Sequence, residues 1–252
     1  MLFLILKNQI HIYKQKSVTR TVAIFMILIL VSCTSRNNTE VVKEGIALAI
    51  PSVCIWDRIS VRQEPFRKAA LVSNLNLGEM VTYLGISAVD STYKNQVYYH
   101  VKLSDERTAW VPAFSLVTDA SPAVVIKEVP VYLRPDLLTI TDRTLGAMEI
   151  IAVIKKSDDW INFYSEKKIR NGWIKSEALS DNIEDIAFAL YARRILNENT
   201  NKTLSDKIDS ILKYNLYPNA VFVSLMEEIG EKEKERIQIE EIVMQNFRQN
   251  SE

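Results

Sequence analysis

Ala109-Trp-Val-Pro-Ala-Phe-Ser-Leu116 and Gly172-Trp-Ile-Lys-Ser-Glu-Ala-Leu179 are two versions of one segment. In each, a β-branched residue follows the tryptophan and a leucine stands six positions after it; Trp110 and Trp173 are 63 positions apart. Working outward, Val129-Pro-Val-Tyr-Leu-Arg-Pro135 echoes Ile59-Ser-Val-Arg62, Gly146 to Val153 echoes Gly78 to Leu84, and Asp159 to Tyr164 echoes Val97 to Leu103. Short β-rich runs cut by turn residues such as Glu64-Pro65 and Ser104-Asp105-Glu106 predict strands, with Val53 to Trp56 as a further one. In Val97 to Leu103 the alternation puts Val97, Tyr99, Val101 and Leu103 on one face, and Tyr98 and His100 on the other. Self-similarity at this period means two copies of one small β unit.

The residues of both copies resemble bacterial SH3 (SH3b) domains. The first copy matches in Val61-Arg62…Pro65, Gly78-Glu79, Tyr98-Tyr99-His100-Val101 and Trp110-Val111…Leu116. The second matches in Leu133-Arg134-Pro135, Gly146, Trp160-Ile161 and Gly172-Trp173-Ile174…Leu179. Copy one departs at Ala109, where the family often has glycine, and copy two lacks the usual turn after its arginine. The resemblance implies a mainly β plus α chain: two small SH3-like β-barrels at residues 50–119 and 120–180, then a helical region at 181–252. It also implies binding of cell-wall polymer or peptide by aromatic surface. Trp56, Arg62, Tyr98, Trp110 and Phe114 in copy one, and Arg134, Trp160, Tyr164 and Trp173 in copy two, are the candidate ligand residues, since aromatic faces suit sugars and extended peptides. Trp110 and Trp173 also suit the cores.

Before the repeat, Val22 to Val31 is an unbroken apolar run that ends in Leu30-Val31-Ser32-Cys33. Lys7, Lys14, Lys16 and Arg20 precede it, with no acidic residue. Basic flank, short apolar segment and small residue form a signal-peptide plan; about ten apolar residues is roughly half of the ~20 that span a bilayer. Leu30 to Cys33 resembles the lipobox of bacterial lipoproteins. That implies removal of residues 1–32, a lipid thioether on Cys33, a polar tether over 33–49, and a mature chain outside the cytoplasmic membrane. Thr34, in place of an aspartate, favours the outer membrane in a cell that has two. The long region ahead of the run is unusual, and a start codon upstream of the true one would explain it.

Taking the four leader cations from 31 Lys and Arg leaves 27 against 31 Asp and Glu, a balance near −4. A mildly acidic, mixed surface is not that of a nucleic-acid binder. Cys54 is the one cysteine besides Cys33, so the mature chain forms no internal disulfide; its apolar context reads as a small buried hydrophobe. His100 is the one histidine after the leader, and a Cys54–His100 hydrolase would need both to converge. No metal-ligand spacing and no phosphate-cradling glycine loop is present. The expectation is no enzyme, cofactor or metal.

After Leu179, helical spacing predicts three helices. Ile183, Ile186, Ala187, Leu190 and Tyr191 line the first; Thr203 caps the second, which carries Leu204, Ile208, Ile211 and Leu212; the third runs from about Ala220 to Phe247. Gly230 and the charged run Glu231 to Arg236 predict a bend or a solvated face in the third. The expected protein is a lipid-anchored, non-catalytic envelope protein. The alternative is an interaction scaffold that acts through the helices, with the β units as spacers.

Overall fold

The computed structural model describes residues 49–214 and 216–249. The leader, Cys33 and most of the tether lie outside the described residues. Among the described residues, no helix is long and apolar enough to cross a membrane.

Among the described residues, fourteen strands form two seven-stranded sheets. The first comprises β1 (Ile50–Cys54), β2 (Ile59–Arg62), β3 (Leu71–Leu75), β4 (Met80–Asp90), β5 (Gln96–Lys102), β6 (Thr108–Pro112) and β7 (Leu116–Thr118). The second comprises β8 (Ser121–Val125), β9 (Val129–Tyr132), β10 (Ile140–Leu145), β11 (Ile150–Ser157), β12 (Trp160–Ser165), β13 (Asn171–Lys175) and β14 (Leu179–Ser180). The orders are β3-β2-β6-β5-β4-β1-β7 and β10-β9-β13-β12-β11-β8-β14, so the same topology occurs twice. In each, a 3-10 turn after the tryptophan strand delivers the leucine, at Ala113–Ser115 and Ser176–Ala178.

The strand register corrects two of the sequence echoes. Arg62 stands opposite Trp110, and Tyr132 opposite Trp173. Tyr132, and not Arg134, is therefore the counterpart of Arg62. Likewise the Gly78 N–H donates to the Cys54 carbonyl and the Met148 N–H to the Val125 carbonyl, each at 2.7 Å. Both residues have positive φ, +79° and +66°. The counterpart of Gly78 is thus Met148, not Gly146. Glycine was the natural residue to align on, because a left-handed backbone ordinarily selects it; in the second copy a methionine accepts the strain.

Each sheet wraps its own core. Val61, Leu75, Val101, Val111 and Leu116 fill the first; Val131, Leu145, Ile151, Phe163 and Ile174 fill the second. A third cluster joins the two. Val53, Ile55, Val117 and Ala120 meet Ala152, with Ile154 and Tyr164 against them. Val53 and Cys54 are adjacent on β1 and point to opposite faces: Cys54 enters the first core and Val53 the seam. With both faces covered at this end of β1, Val53-Cys54-Ile55 runs apolar without alternation.

Helices α1 (Ile183–Leu196), α2 (Leu204–Tyr214) and α3 (Val223–Gln249) follow. The Asn182 side chain accepts from the Glu184 N–H at 2.9 Å and caps α1. Thr203 and Asp206 cap α2 reciprocally: the Asp206 N–H reaches Thr203 Oγ1 at 3.1 Å, and the Thr203 N–H reaches the Asp206 carboxylate at 3.0 Å. Ile186, Phe188, Ile208, Ile211, Phe222 and Met226 bury against one another and against Leu77, Val124 and Ile150 of the two sheets. Buried Asp185 fixes the junction, accepting from Ser180 Oγ and, at 2.7 Å, from the Val221 N–H. Helix α3 is continuous through Gly230. A Cβ there would lie 3.1 Å from Ile208 Cγ2, so this glycine serves close approach to α2 rather than a bend.

Candidate functional site

On the outer face of the first sheet, alternation turns Val61, Tyr99 and Val101 into the core and leaves the residues between them outside. Two loops rise over that outer face: residues 63–70 between β2 and β3, and 91–95 between β4 and β5. Between them lies a pocket of about 260 Å³, lined by Arg58, Ser60, Arg62, Arg67, Tyr93 and Tyr98 among others. This is below the usual size for a whole drug-like ligand and suits one side chain or one end group.

Asp90 holds both loops in place. It is 4% exposed. Its carboxylate accepts the Arg67 N–H at 3.0 Å from one loop, and the Thr92 N–H at 2.9 Å and Thr92 Oγ1 from the other. Burial pushes the Asp90 carboxyl up, but the Thr92 hydroxyl and the backbone N–H groups of Arg67, Thr92 and Tyr93 outweigh it and hold the group below its usual range. Arg67 then lays its guanidinium over the Tyr93 ring at 4.3 Å. Arg62 Nη1 donates to the Ala69 carbonyl at 3.0 Å, which aims its guanidinium along the loop. Tyr98 is 4% exposed and forms the floor; burial, with Asp90 nearby, raises its phenol above the usual value. The result is an aromatic floor rimmed by guanidinium groups, a chemistry that receives a carboxylate on a sugar or peptide.

The corresponding place in the second sheet is lined differently, with a pocket of about 280 Å³ bordered by Asp159, Lys175, Ser176 and Glu177. Trp160 stands opposite Lys175 as Tyr98 stands opposite Pro112. Trp160 is packed edge-on against Tyr132 at 4.9 Å, and Lys175 Nζ covers its ring at 4.2 Å. The hairpin there turns on Asp158-Asp159, so no counterpart of Tyr93 exists.

The remaining sequence-predicted residues fall elsewhere. Trp56 and Phe114 meet at 5.0 Å, and Trp56 with Tyr164 lies against the seam between the sheets. Lys167 closes that seam: its N–H donates to the Ile55 carbonyl at 2.8 Å and its Nζ lies 5.6 Å from the Trp56 ring. Trp110 stacks on His100 at 4.7 Å on the outer face, while Trp173 pairs with Asn162 at the corresponding place. Arg134 sits beyond the end of β9, exposed. Of the nine candidates, only Arg62 and Tyr98 line the pocket. Arg67, Tyr93 and Asp90 were missed; their signal was Asp90-Ser-Thr-Tyr93, an acidic turn with an aromatic, which reads as an ordinary hairpin until the loops meet.

Cys54 lies in the first core and donates to the Trp56 carbonyl; burial pushes its thiol up to about 11. His100 is on the opposite face of the sheet, its pKa lowered by burial. The two do not converge. Among the described residues, no group of three or more His, Cys, Asp or Glu could hold a metal ion.

No family model and no curated protein matches the chain. Among solved structures it is similar to NlpC2 from Trichomonas vaginalis, with 15% identity over 69% of this chain and 58% of that one, at a TM-score of 0.24. It is also similar to NlpC1 from Trichomonas vaginalis, with 14% identity over 72% of this chain and 58% of that one, again at 0.24. The chain thus spans 58% of the length of these structures. At that score the likeness carries no argument about fold or activity.

Proposed function

We propose that the chain is a lipid-anchored protein of the cell envelope, with two SH3-like β units that hold cell-wall material or peptide without catalysis. The doubled strand order supports the reading of two SH3-like units. The lipobox-like Leu30 to Cys33 supports the tether. The observation that carries the binding reading is the Arg62–Arg67–Tyr93–Tyr98 pocket, whose guanidinium rim suits the carboxylates of wall peptides and acidic sugars. The first unit binds; the second, with Trp160 sealed by Tyr132 and Lys175, is a spacer and a platform for the helices.

The test is cosedimentation of the purified protein with isolated cell-wall sacculi. A charge-assisted hydrogen bond contributes about 1.5–3 kcal/mol, so Arg62→Ala is expected to weaken sedimentation about tenfold or more. A native chain that sediments no better than an unrelated lipoprotein would overturn the proposal.

A second reading, an interaction scaffold, is favoured by the outer half of α3, where Ile239, Ile242, Val243 and Met244 are all exposed. Truncation after Arg236, which keeps the buried core of the helical region, separates the two: wall binding survives under the first reading, and partner co-purification is lost under the second.

A further inference from the structure

The second sheet has its own exposed loop, and it is apolar. Between β9 and β10, Leu133, Leu137 and Leu138 are 65%, 62% and 92% exposed, and Ile140 at the start of β10 is 58% exposed. The same loop of the first sheet carries Glu64, Arg67 and Lys68 and folds down onto Asp90. The leucine loop is not loosely held. The Leu133 N–H donates to the Thr139 carbonyl at 3.0 Å, Asp136 N–H to the Arg134 carbonyl at 2.7 Å, and Thr139 N–H to the Asp136 carbonyl at 3.0 Å. Thr139 Oγ1 donates to the Asp136 carbonyl at 2.8 Å and accepts from the Arg134 N–H at 3.1 Å. The Asp136 carboxylate accepts from the Leu138 N–H at 3.0 Å. Pro135 has no N–H to satisfy.

Internal bonds to the N–H groups of Leu133, Arg134, Asp136, Leu138 and Thr139 lower the cost of taking the loop out of bulk water, while its leucines point outward. Its two charged residues, Arg134 and Asp136, are of opposite sign, and nothing in it prefers a charged partner. The chain between Cys33 and Ile50 can span at most about 55–60 Å at ~3.3–3.6 Å per residue, so a lipid on Cys33 keeps the β units beside a bilayer.

We propose that the 133–140 loop rests in the interfacial layer of the membrane, with Leu137 and Leu138 inserted among the lipids. This rests on the lipid-anchor reading above. It makes the tethered protein a two-point attachment: the N-terminal lipid holds the chain, and the loop turns the second β unit toward the bilayer. The contact is apolar and persists at high salt on uncharged lipid.

The test uses the acylated full chain, purified from membranes and reconstituted in phosphatidylcholine vesicles. A polarity-sensitive fluorophore is placed at Leu138→Cys and, as a control, at Lys94→Cys on the exposed 91–95 loop. At 138, blue-shifted emission, several-fold quenching by brominated lipid and several-fold protection from iodide are expected; at 94, none of these. If vesicles carry the chain but iodide quenches both positions alike, this inference falls and the anchor stands. Blue-shifted emission at 138 without quenching by brominated lipid means that protein, such as a second copy, covers the loop, and also overturns it. A chain that fails to float with vesicles overturns the anchor reading and this inference with it. Position 138 contributes nothing to a core, so the variant folds.

Discussion

Asp90→Ala removes the acceptor that joins the two loops of the pocket. The Arg67 N–H, the Thr92 N–H and the Thr92 hydroxyl lose their shared carboxylate. Each such bond to a charged acceptor contributes about 1.5–3 kcal/mol. The three are not additive, since the loops can swing out and the freed groups find water, so a net loss of about 3 kcal/mol is expected. In a chain of this size, 1 kcal/mol moves the melting temperature by about 2–4 °C, hence a fall of roughly 6–12 °C. Asp90→Asn keeps one oxygen acceptor but turns an amide N–H₂ toward one of the donors, and should fall between native and Asp90→Ala. Hydrogen exchange gives the local readout: the Arg67 and Thr92 amides lose protection first, and wall binding weakens with them. Because the Asp90 carboxyl is held below its usual range, its contribution is complete at neutral pH. It is lost only as pH falls through and below the ordinary carboxylate range. A variant that melts within about 2 °C of native with both amides still protected would refute the reasoning.

Gly172→Ala should be severe, a loss of about 2–4 kcal/mol by thermal unfolding, because a Cβ there would lie 2.6 Å from the Tyr132 carbonyl oxygen and 2.8 Å from Val131 Cγ1 at a φ of +147°; the counterpart Ala109 already carries its Cβ, so Ala109→Gly should cost far less. Asp185→Ala should loosen the helical region by about 2–3 kcal/mol, with faster exchange at the Val221 amide, since it strands that N–H and Ser180 Oγ. Stability should begin to fall as pH drops below about 6.5, because burial lowers the pKa of His100 and the unfolded chain takes the proton first; His100→Phe should abolish that step in a pH series of melting curves. Arg62→Ala, which also loses the bond to the Ala69 carbonyl, should lower melting by roughly 3–6 °C while it weakens sacculus binding.

The repeat was legible because its carriers are large. Tryptophan, the β-branched residue after it and the leucine six further on occupy corresponding places in both sheets. The helices were legible from apolar spacing and, for α2, from Thr203 at its start; the Asn182 cap of α1 was not read from the sequence. Strands β3 and β10 were not legible: each lies at one edge of its sheet, and Ile140-Thr-Asp-Arg-Thr-Leu145 is polar through its middle because one side faces water. The offsets between copies were also hidden. The β4–β5 hairpin is longer than the β11–β12 hairpin, so counterparts lie 70 apart before it, as in Arg62 and Tyr132, 62 apart just after it, as in Tyr98 and Trp160, and 63 apart on the tryptophan strand, as in Trp110 and Trp173. The pocket was half legible. Tyr98 and Arg62 stand in strands whose alternation can be read, whereas Arg67, Tyr93 and Asp90 come from loops whose meeting depends on one buried carboxylate.

The envelope function and the membrane-facing loop both presume a chain held at a membrane by its N-terminus. The direct measurement is the mass of the N-terminal peptide of the protein recovered from the membrane fraction, beside a Cys33→Ala variant. The account predicts a native chain that begins at an acylated Cys33, with residues 1–32 gone, and a variant left unprocessed and unacylated. A native chain with an intact leader and an unmodified Cys33 would contradict it.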